Sequence, residues 1–280
     1  MDDLSTIEVI NLLTIGLSSF NMKHQVPSDI PIHGQFVEGK NLKSQTYLNQ
    51  INEWTQNQKM IISEKKTKMM LFNFTDKYQF TTRLNLKGTD IQVVDQMKIL
   101  GTIVKTNLSW DDNCHELVRK VNARMQLLRG VQSFGASKKE MVHLWIIFCR
   151  SVLEQSCAVW HSSLTQENID DLERTQKTFA KLVLKEKYTT YEESLIKLNL
   201  DSLSQRRQIL CLKFAKDGIK HNKLSDLLPL RTKEHDMQIR QSDKYTVDFA
   251  NTERLRNGSI ITMQNYLNED NMQKIKRNYG

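Results

Sequence analysis

The sequence is poor in proline and glycine, with three prolines and ten glycines in 280 residues. Long flexible linkers are usually rich in small and turn-forming residues, so this composition argues against an extended low-complexity chain. Hydrophobic residues make up 39% of the chain and charged residues 26%, which is typical of a globular protein with a buried core. The length has room for one large domain or two.

Cysteine is also scarce, and its four copies are too widely spaced to form a CxxC pair. This spacing argues against a disulfide framework and a zinc knuckle, and it favours reduced thiols. The sequence has no apolar run long enough to cross a bilayer, and it begins with two acids rather than with the basic and apolar regions of a signal peptide. We therefore expect an intracellular protein, nuclear or cytoplasmic, with no membrane partner.

Nucleotide-binding and hydrolase signatures are missing as well. The sequence contains no GxSxG, GxGxxG or P-loop pattern. The formal net charge is +8, which is compatible with a polyanionic partner. The basic excess is spread along the chain, so charge alone makes a nucleic-acid partner only one option.

The residue pattern changes character after about residue 108. Before it, the stretch 41–58 has helical periodicity, and short runs such as "KTKMMLFNF" and "MKILGTIV" are typical of strands. After it, helical periodicity continues to about residue 221. We therefore predict an α+β fold with three parts: a helix-and-sheet part over residues 1–108, an all-helical domain over residues 109–221, and a polar extension over residues 222–280.

Helix starts in the second part are marked by capping residues. Ser137 with Glu140 and Thr190 with Glu193 have the spacing of a capping box, Ser202 with Gln205 is a third candidate, and Thr165 can cap the helix between them. The first helix of this part carries an apolar stripe formed by Cys114, Leu117, Val118, Val121, Met125 and Leu128.

Four local motifs have both a functional and a structural interpretation. The pair Asp2-Asp3 could hold Mg²⁺, or it could be a solvated chain start. Lysines in "KKTKMMLF" could face an anionic leaving group, but sheet-edge lysines are the commoner explanation. Gly101 in a strand pattern indicates a bulge or the close approach of another backbone. Cys157 and His161 have helical spacing, for which core packing is favoured over metal binding.

Several segments, taken in order, resemble the C-terminal half of the reverse transcriptase of non-LTR (LINE-like) retrotransposons. They are "MDD", "LNQINEWTQNQKM", "KKTKMMLF", "KILGTIVKTNLSW" and the stretch from "RSVLEQSCAVWHSSLT" through "IDDLERTQKTFAKLVL". The resemblance covers nearly the whole chain, and its most specific part runs from Val152 to Leu184.

The resemblance implies a polymerase palm remnant and a helical thumb, acting on an RNA template and a DNA primer. Asp2 and Asp3 would correspond to the paired acids that hold catalytic Mg²⁺, and Lys66 would lie near the phosphates of the incoming nucleotide. Leu100 and Gly101 match the segment that grips the primer. The thumb would contact the template–primer duplex through cations that the family interpretation assigns to Arg119, Lys120 and Arg124.

The sequence departs from the family at its start. Met1 stands where the family has an aromatic residue before the paired acids, and the fingers and the first half of the palm, with its metal-binding aspartate, have no counterpart. The resemblance thus implies a remnant of a nucleotidyltransferase from a transposable element. We expect it to be inactive alone, because one of the aspartates that would hold the two metal ions is missing. The alternative is a non-catalytic, nucleic-acid-binding helical protein.

Overall fold

The computed structural model describes residues 11–14, 42–72, 83–229, 245–247, 249–250 and 252–279, with side chains described from residue 45 to residue 270 within these ranges. The fold is mixed α+β and mostly helical, with small sheets, as the sequence predicts. The chain divides into two compact units, residues 1–109 and residues 110–280.

The described residues of unit 1 form one long helix and seven short strands. The helix α1 spans Leu42–Asn57, which matches the helix predicted for 41–58. The strands are β1 (Asn11–Thr14), β2 (Lys68–Leu71), β3 (Asn85–Leu86), β4 (Thr89–Asp90), β5 (Gln92–Val93), β6 (Gln96–Ile99) and β7 (Thr102–Lys105). One sheet has the order β1-β2-β5, with β1 antiparallel and β5 parallel to β2, and two hairpins pair β3 with β4 and β6 with β7.

The strand β2 is buried on both faces because successive side chains point in opposite directions. Met69 packs with Leu48 of α1 in one cluster, and Met70 packs with Met97 of β6 in another. Both methionines are fully buried. An uninterrupted apolar strand of this kind therefore forms the centre of unit 1.

A side chain of α1 also fixes the β3–β4 hairpin. The amide of Gln45 donates to the backbone carbonyl of Asn85 at 2.8 Å and accepts from its backbone N–H at 2.9 Å. The turn of this hairpin is Lys87-Gly88, and both residues have positive φ, 53° and 86°.

Unit 2 is helical in the residues that the structure describes. Its helices are α2 (Asp111–Ser133), α3 (Lys138–Leu144), α4 (Ser151–Glu154), α5 (Cys157–Trp160), α6 (Gln166–Leu184), α7 (Tyr191–Leu198), α8 (Leu203–Lys220), α9 (Glu253–Arg256) and α10 (Ser259–Tyr279). The predicted apolar stripe of α2 faces the core, and five of its six residues are fully buried.

The helix caps follow the sequence closely. Ser137–Glu140 and Ser202–Gln205 form complete capping boxes. Thr190 accepts from the backbone N–H of Glu193 at 3.2 Å, but the Glu193 carboxylate bonds to the hydroxyl of Thr189 instead of returning to the cap. At Thr190 and Glu193, therefore, only the bond from the backbone N–H to the threonine side chain forms, and the capping box is incomplete.

The helix that begins after the Ser137 cap is interrupted. A π-helical segment, Trp145–Arg150, follows α3, and the helix breaks after α4, where Ser156 has φ +53°. The bulky Trp145 within the π-helical segment is fully buried and stacks on Phe179 of α6, with ring centroids 4.6 Å apart. The extra residue in the π turn lies where this aromatic pair packs.

Residues that the sequence assigns to a C-terminal extension contribute to the core of unit 2. Met263 and Leu267 of α10 form a buried cluster with Ala215 of α8 and Leu228. Lys216 of α8 also pairs with Asp270 at 2.8 Å. The described part of α10 is thus packed on α8.

No single helix in the described residues combines the length and apolarity of a membrane span. The segments Lys138–Glu154 and Cys157–Ser163 are bent by 42° relative to each other, and they reach the length and apolarity of a span only when they are counted together. Their largest side chains, Trp145 and Trp160, are fully buried within unit 2.

Candidate nucleic-acid interface

Leu100 and Gly101 form the two-residue turn of the β6–β7 hairpin. Ile99 pairs with Thr102, and the two turn residues have φ +47° and +92°. Positive φ at both positions is characteristic of the type I′ turn, which matches the twist of the flanking strands. The bulge interpretation of Gly101 is therefore wrong: the glycine closes a tight turn, where its missing Cβ makes positive φ inexpensive.

Leu100 is an unusual residue for this position. Asn, Asp and Gly are the residues that tolerate left-handed backbone, whereas a branched apolar side chain does not favour it. The side chain of Leu100 is nevertheless 91% exposed. The hairpin therefore presents a large apolar group at its tip, on a backbone conformation that the residue disfavours.

Lys66 lies at the end of a 3₁₀ turn, Glu64–Lys66, directly before β2. Its side chain is exposed, whereas the next residue, Thr67, is buried and its hydroxyl donates to the Ser63 carbonyl at 2.8 Å. The sheet-edge explanation of the neighbouring lysines is wrong, because β2 lies between β1 and β5 rather than at an edge. In the pair Lys66-Thr67, the lysine amine is thus exposed and the threonine hydroxyl is buried.

The predicted metal ligands Asp2 and Asp3 lie outside the described residues. Within the described ranges, no three His, Cys, Asp or Glu side chains come together in a way that could hold a metal ion. The magnesium site thus stays a prediction.

The three predicted cations of α2 already have partners within unit 2. Arg119 donates to both carboxylate oxygens of Glu116, at 2.7 and 3.1 Å, and Lys120 lies 3.7 Å from the same carboxylate. These hydrogen bonds raise the pKa of Arg119. Arg124 donates to the carbonyl of Phe148, and its guanidinium lies 5.1 Å from the centre of that ring.

A charged residue that the sequence does not single out, Arg207 of α8, is fully buried in unit 2. Its Nε donates to Nδ1 of His161 at 3.3 Å, and its guanidinium lies 5.9 Å from the centre of the Trp160 ring. Its two terminal nitrogens have no hydrogen-bond partner among the described residues. The sequence did contain a signal, because Leu203, Cys211 and Ala215 are buried at four- and eight-residue spacings from Arg207.

Three groups near Arg207 are shifted towards their neutral forms, whereas a hydrogen bond with Cys211 lowers the pKa of Cys157. Burial, with Arg207 as the second cause, lowers the pKa of His161 to about 4. Burial raises the pKa of Cys114 to about 12, and a hydrogen bond to Cys157 together with burial raises the pKa of Cys211. A neutral imidazole and protonated thiols around one buried cation favour packing over nucleophilic chemistry.

The favoured core interpretation of Cys157 and His161 agrees with their burial. Both side chains are more than nine-tenths buried, and the Nδ1 atom of His161 is occupied by Arg207. A guanidinium at this distance would repel a second cation.

A carboxylate organises the N-terminus of α8, one turn before Arg207. Glu173 of α6 accepts from the backbone N–H groups of Leu203 and Ser204, at 3.2 and 2.6 Å, and from the hydroxyl of Tyr191 at 2.5 Å. A carboxylate at a helix N-terminus satisfies N–H groups that have no partner within the helix. Glu173 thus fixes α6, α7 and α8 relative to one another.

The chain was compared with protein-family models, curated protein sequences and solved structures, and none of them matches it.

Proposed function

We propose that this chain is the C-terminal part of a reverse transcriptase of the non-LTR, LINE-like retrotransposon class, and that it binds the RNA template paired with the DNA primer. In this proposal unit 1 is the end of the palm with the primer-gripping hairpin, and unit 2 is the thumb. The proposal rests on the ordered sequence resemblance from Met1 to Leu184.

The observation that carries the proposal is the exposed Leu100 at the tip of the β6–β7 hairpin. Left-handed backbone at a leucine costs about 1–2 kcal/mol, and an exposed apolar side chain brings no compensating burial. Strain of this kind is concentrated at sites that contact ligands. A hairpin tip that inserts an apolar group beside the sugar–phosphate backbone would explain why leucine occupies a position suited to asparagine.

The catalytic part of the proposal concerns the complete enzyme. Asp2 and Asp3 would supply oxygen ligands to Mg²⁺, an ion that neutralises developing charge and orients phosphates in nucleotidyl transfer. The exposed amine of Lys66 would attract the phosphates of the incoming nucleotide.

Binding of a labelled RNA–DNA hybrid to the purified chain, followed by fluorescence anisotropy, tests the proposal. We expect binding that weakens steeply as salt rises, because phosphate contacts release counterions. Leu100→Asp should weaken binding at least about tenfold, because it places a carboxylate beside the phosphates. Leu100→Asn is the matched control, since it has similar size, no charge and a residue type suited to the turn.

The alternative, a non-catalytic helical nucleic-acid-binding protein, is supported by exposed cations on unit 2. It predicts hybrid binding that Leu100→Asp leaves unchanged, because the hairpin would have no part in it. A chain that binds no hybrid at all would contradict both functions. Primer extension on a homopolymer template checks the expected inactivity: extension that depends on Mg²⁺ and deoxynucleotides would show that the 280 residues hold a working active site.

A further inference from the structure

The helix α6 carries a row of exposed cations along one side. Arg174, Lys177, Lys181 and the following Lys185 are all exposed, and they are separated by three, four and four residues. Arg174, Lys177 and Lys181 therefore lie on the same face of α6, and Lys185 follows them at the residue where the helix ends. We call these four residues the α6 basic row.

Three of the four cations have no acidic partner. Arg174 is paired with Asp171 at 2.6 Å, but no carboxylate of the described residues lies within 4.0 Å of the amines of Lys177, Lys181 or Lys185. Lys181 instead lies 5.4 Å from the centre of the Tyr188 ring. The row therefore presents positive charge that the protein does not neutralise.

The predicted cations of α2 differ from the α6 basic row in this respect. Arg119 and Lys120 share one carboxylate, that of Glu116, and Arg124 is turned towards Phe148. To contact a phosphate, each of these residues would have to weaken an existing interaction. Lys177 and Lys185 of the α6 basic row can bind an anion without that loss, whereas Lys181 already lies beside the Tyr188 ring.

We infer that the α6 basic row is the surface of unit 2 that follows the phosphate backbone of a bound nucleic acid. Neighbouring cations of α6 are separated by about 4.5–6 Å along the helix axis, so a repeating polyanion can contact several of them at once. Tyr188, half-buried beside Lys181, adds an aromatic face of the kind on which bases stack.

The composition of α6 favours a nucleic acid over an anionic membrane. Membrane-surface helices expose large apolar residues that enter the lipid, whereas none of the large hydrophobic side chains of α6 is exposed. The helix buries Leu172, Phe179 and Leu184 in its own unit. Its exposed residues include the cations Arg174, Lys177 and Lys181 in the C-terminal half, while the acids Glu167 and Asp170 are exposed near its N-terminus.

The α6 basic row would serve the proposed function, so its test uses the full chain and the same labelled RNA–DNA hybrid. The variant replaces Lys177, Lys181 and Lys185 by Gln, a residue of similar helix propensity. The control replaces Lys213, Lys220 and Lys223 by Gln, which removes the same charge from exposed positions of α8 and the turn after it. A double variant, Arg119→Gln with Lys120→Gln, tests the competing surface.

We expect the row variant to lower the slope of log K against log salt by about 2–3, since each lost phosphate contact removes about 0.9 from it. Its affinity should fall about tenfold or more at low salt, while the α8 control and the α2 variant change the slope by less than about 1. The exposed substitutions should leave the urea unfolding midpoint near that of the wild type.

Several results would overturn the inference. An unchanged slope in the row variant, or an equal loss in the α8 control, would show that the α6 basic row is not the binding surface, while hybrid binding by the wild type would still support the proposed function. A loss confined to the α2 variant would assign the surface to α2. Binding to phosphatidylserine vesicles but not to the hybrid would contradict both the inference and the proposed function.

Discussion

The Nε atom of Arg207 donates a hydrogen bond to the Nδ1 atom of His161 at 3.3 Å, inside unit 2. Because Nδ1 accepts this bond, the imidazole is neutral and its proton is on Nε2. A protonated His161 would place two positive charges side by side in a buried site. The pair is thus compatible with only one protonation state of the histidine.

This arrangement predicts a loss of stability in mild acid. The pKa of His161 is lowered to about 4 in the folded state, against about 6.5 in the unfolded chain. Between these two values the unfolded state binds more protons, so the free energy of unfolding falls as pH decreases below about 6.5 and levels off near 4. From about pH 7 to about pH 5 the loss from this residue should be about 2 kcal/mol.

Urea unfolding of the wild type and of His161→Gln at both pH values would measure this loss. The variant has no titrating group at this position, so its free energy of unfolding should fall by about 2 kcal/mol less than that of the wild type. An equal decrease in both proteins would contradict the neutral imidazole. Comparing the two proteins removes the contribution of carboxylates that titrate in the same range.

The stacked pair Trp145 and Phe179 predicts a large cost for truncation. Both side chains are fully buried, and Trp145 also donates to Gln176 at 3.2 Å. Phe179→Ala should lower the free energy of unfolding by about 3–5 kcal/mol, because it leaves a cavity against the indole. Phe214→Ala on the half-exposed face of α8 is the matched control and should cost about 1 kcal/mol. Similar losses in both variants would show that the pair is not part of a packed core.

Two helical glycines predict opposite responses to alanine. A Cβ at Gly130 of α2 would meet nothing within 4 Å, so Gly130→Ala should raise the free energy of unfolding by about 0.5–1 kcal/mol. A Cβ at Gly218 of α8 would lie 2.7 Å from Cγ of Leu224, a side chain that packs against the α8–α10 cluster. Gly218→Ala should therefore be neutral or destabilising, and thermal unfolding of the two variants would separate these effects.

The long helices were predictable from sequence because their signals are local. The stripe of α2 repeats over about four turns, and the caps Ser137 and Ser202 accept from backbone N–H groups three residues away. Such interactions need no knowledge of the rest of the fold. The spacing of the apolar residues likewise becomes helical after about residue 108. The chain divides into its two compact units after Ser109.

The features that sequence reasoning missed depend on distant partners. Arg207 occupies a core position because His161 and Trp160, on a different helix, surround its guanidinium. The π-helical segment at Trp145 forms where Phe179 of α6 packs on it. The resemblance assigns the three cations of α2 to the duplex. The pairing of Arg119 and Lys120 with Glu116 has a local spacing that the sequence does show, whereas the contact of Arg124 with Phe148 joins residues 24 positions apart.

The turn at Leu100 escaped prediction for a different reason, since leucine is not a residue expected in a type I′ turn. Its φ of +47° leads to a stability prediction that is independent of nucleic acid. Leu100→Asn should raise the free energy of unfolding by about 1 kcal/mol, because asparagine tolerates left-handed backbone. Leu100→Ala keeps the strain and removes only the exposed side chain, so it should be nearly neutral. Urea unfolding of both variants tests this, and a loss of stability in Leu100→Asn would mean that the leucine side chain supports the fold.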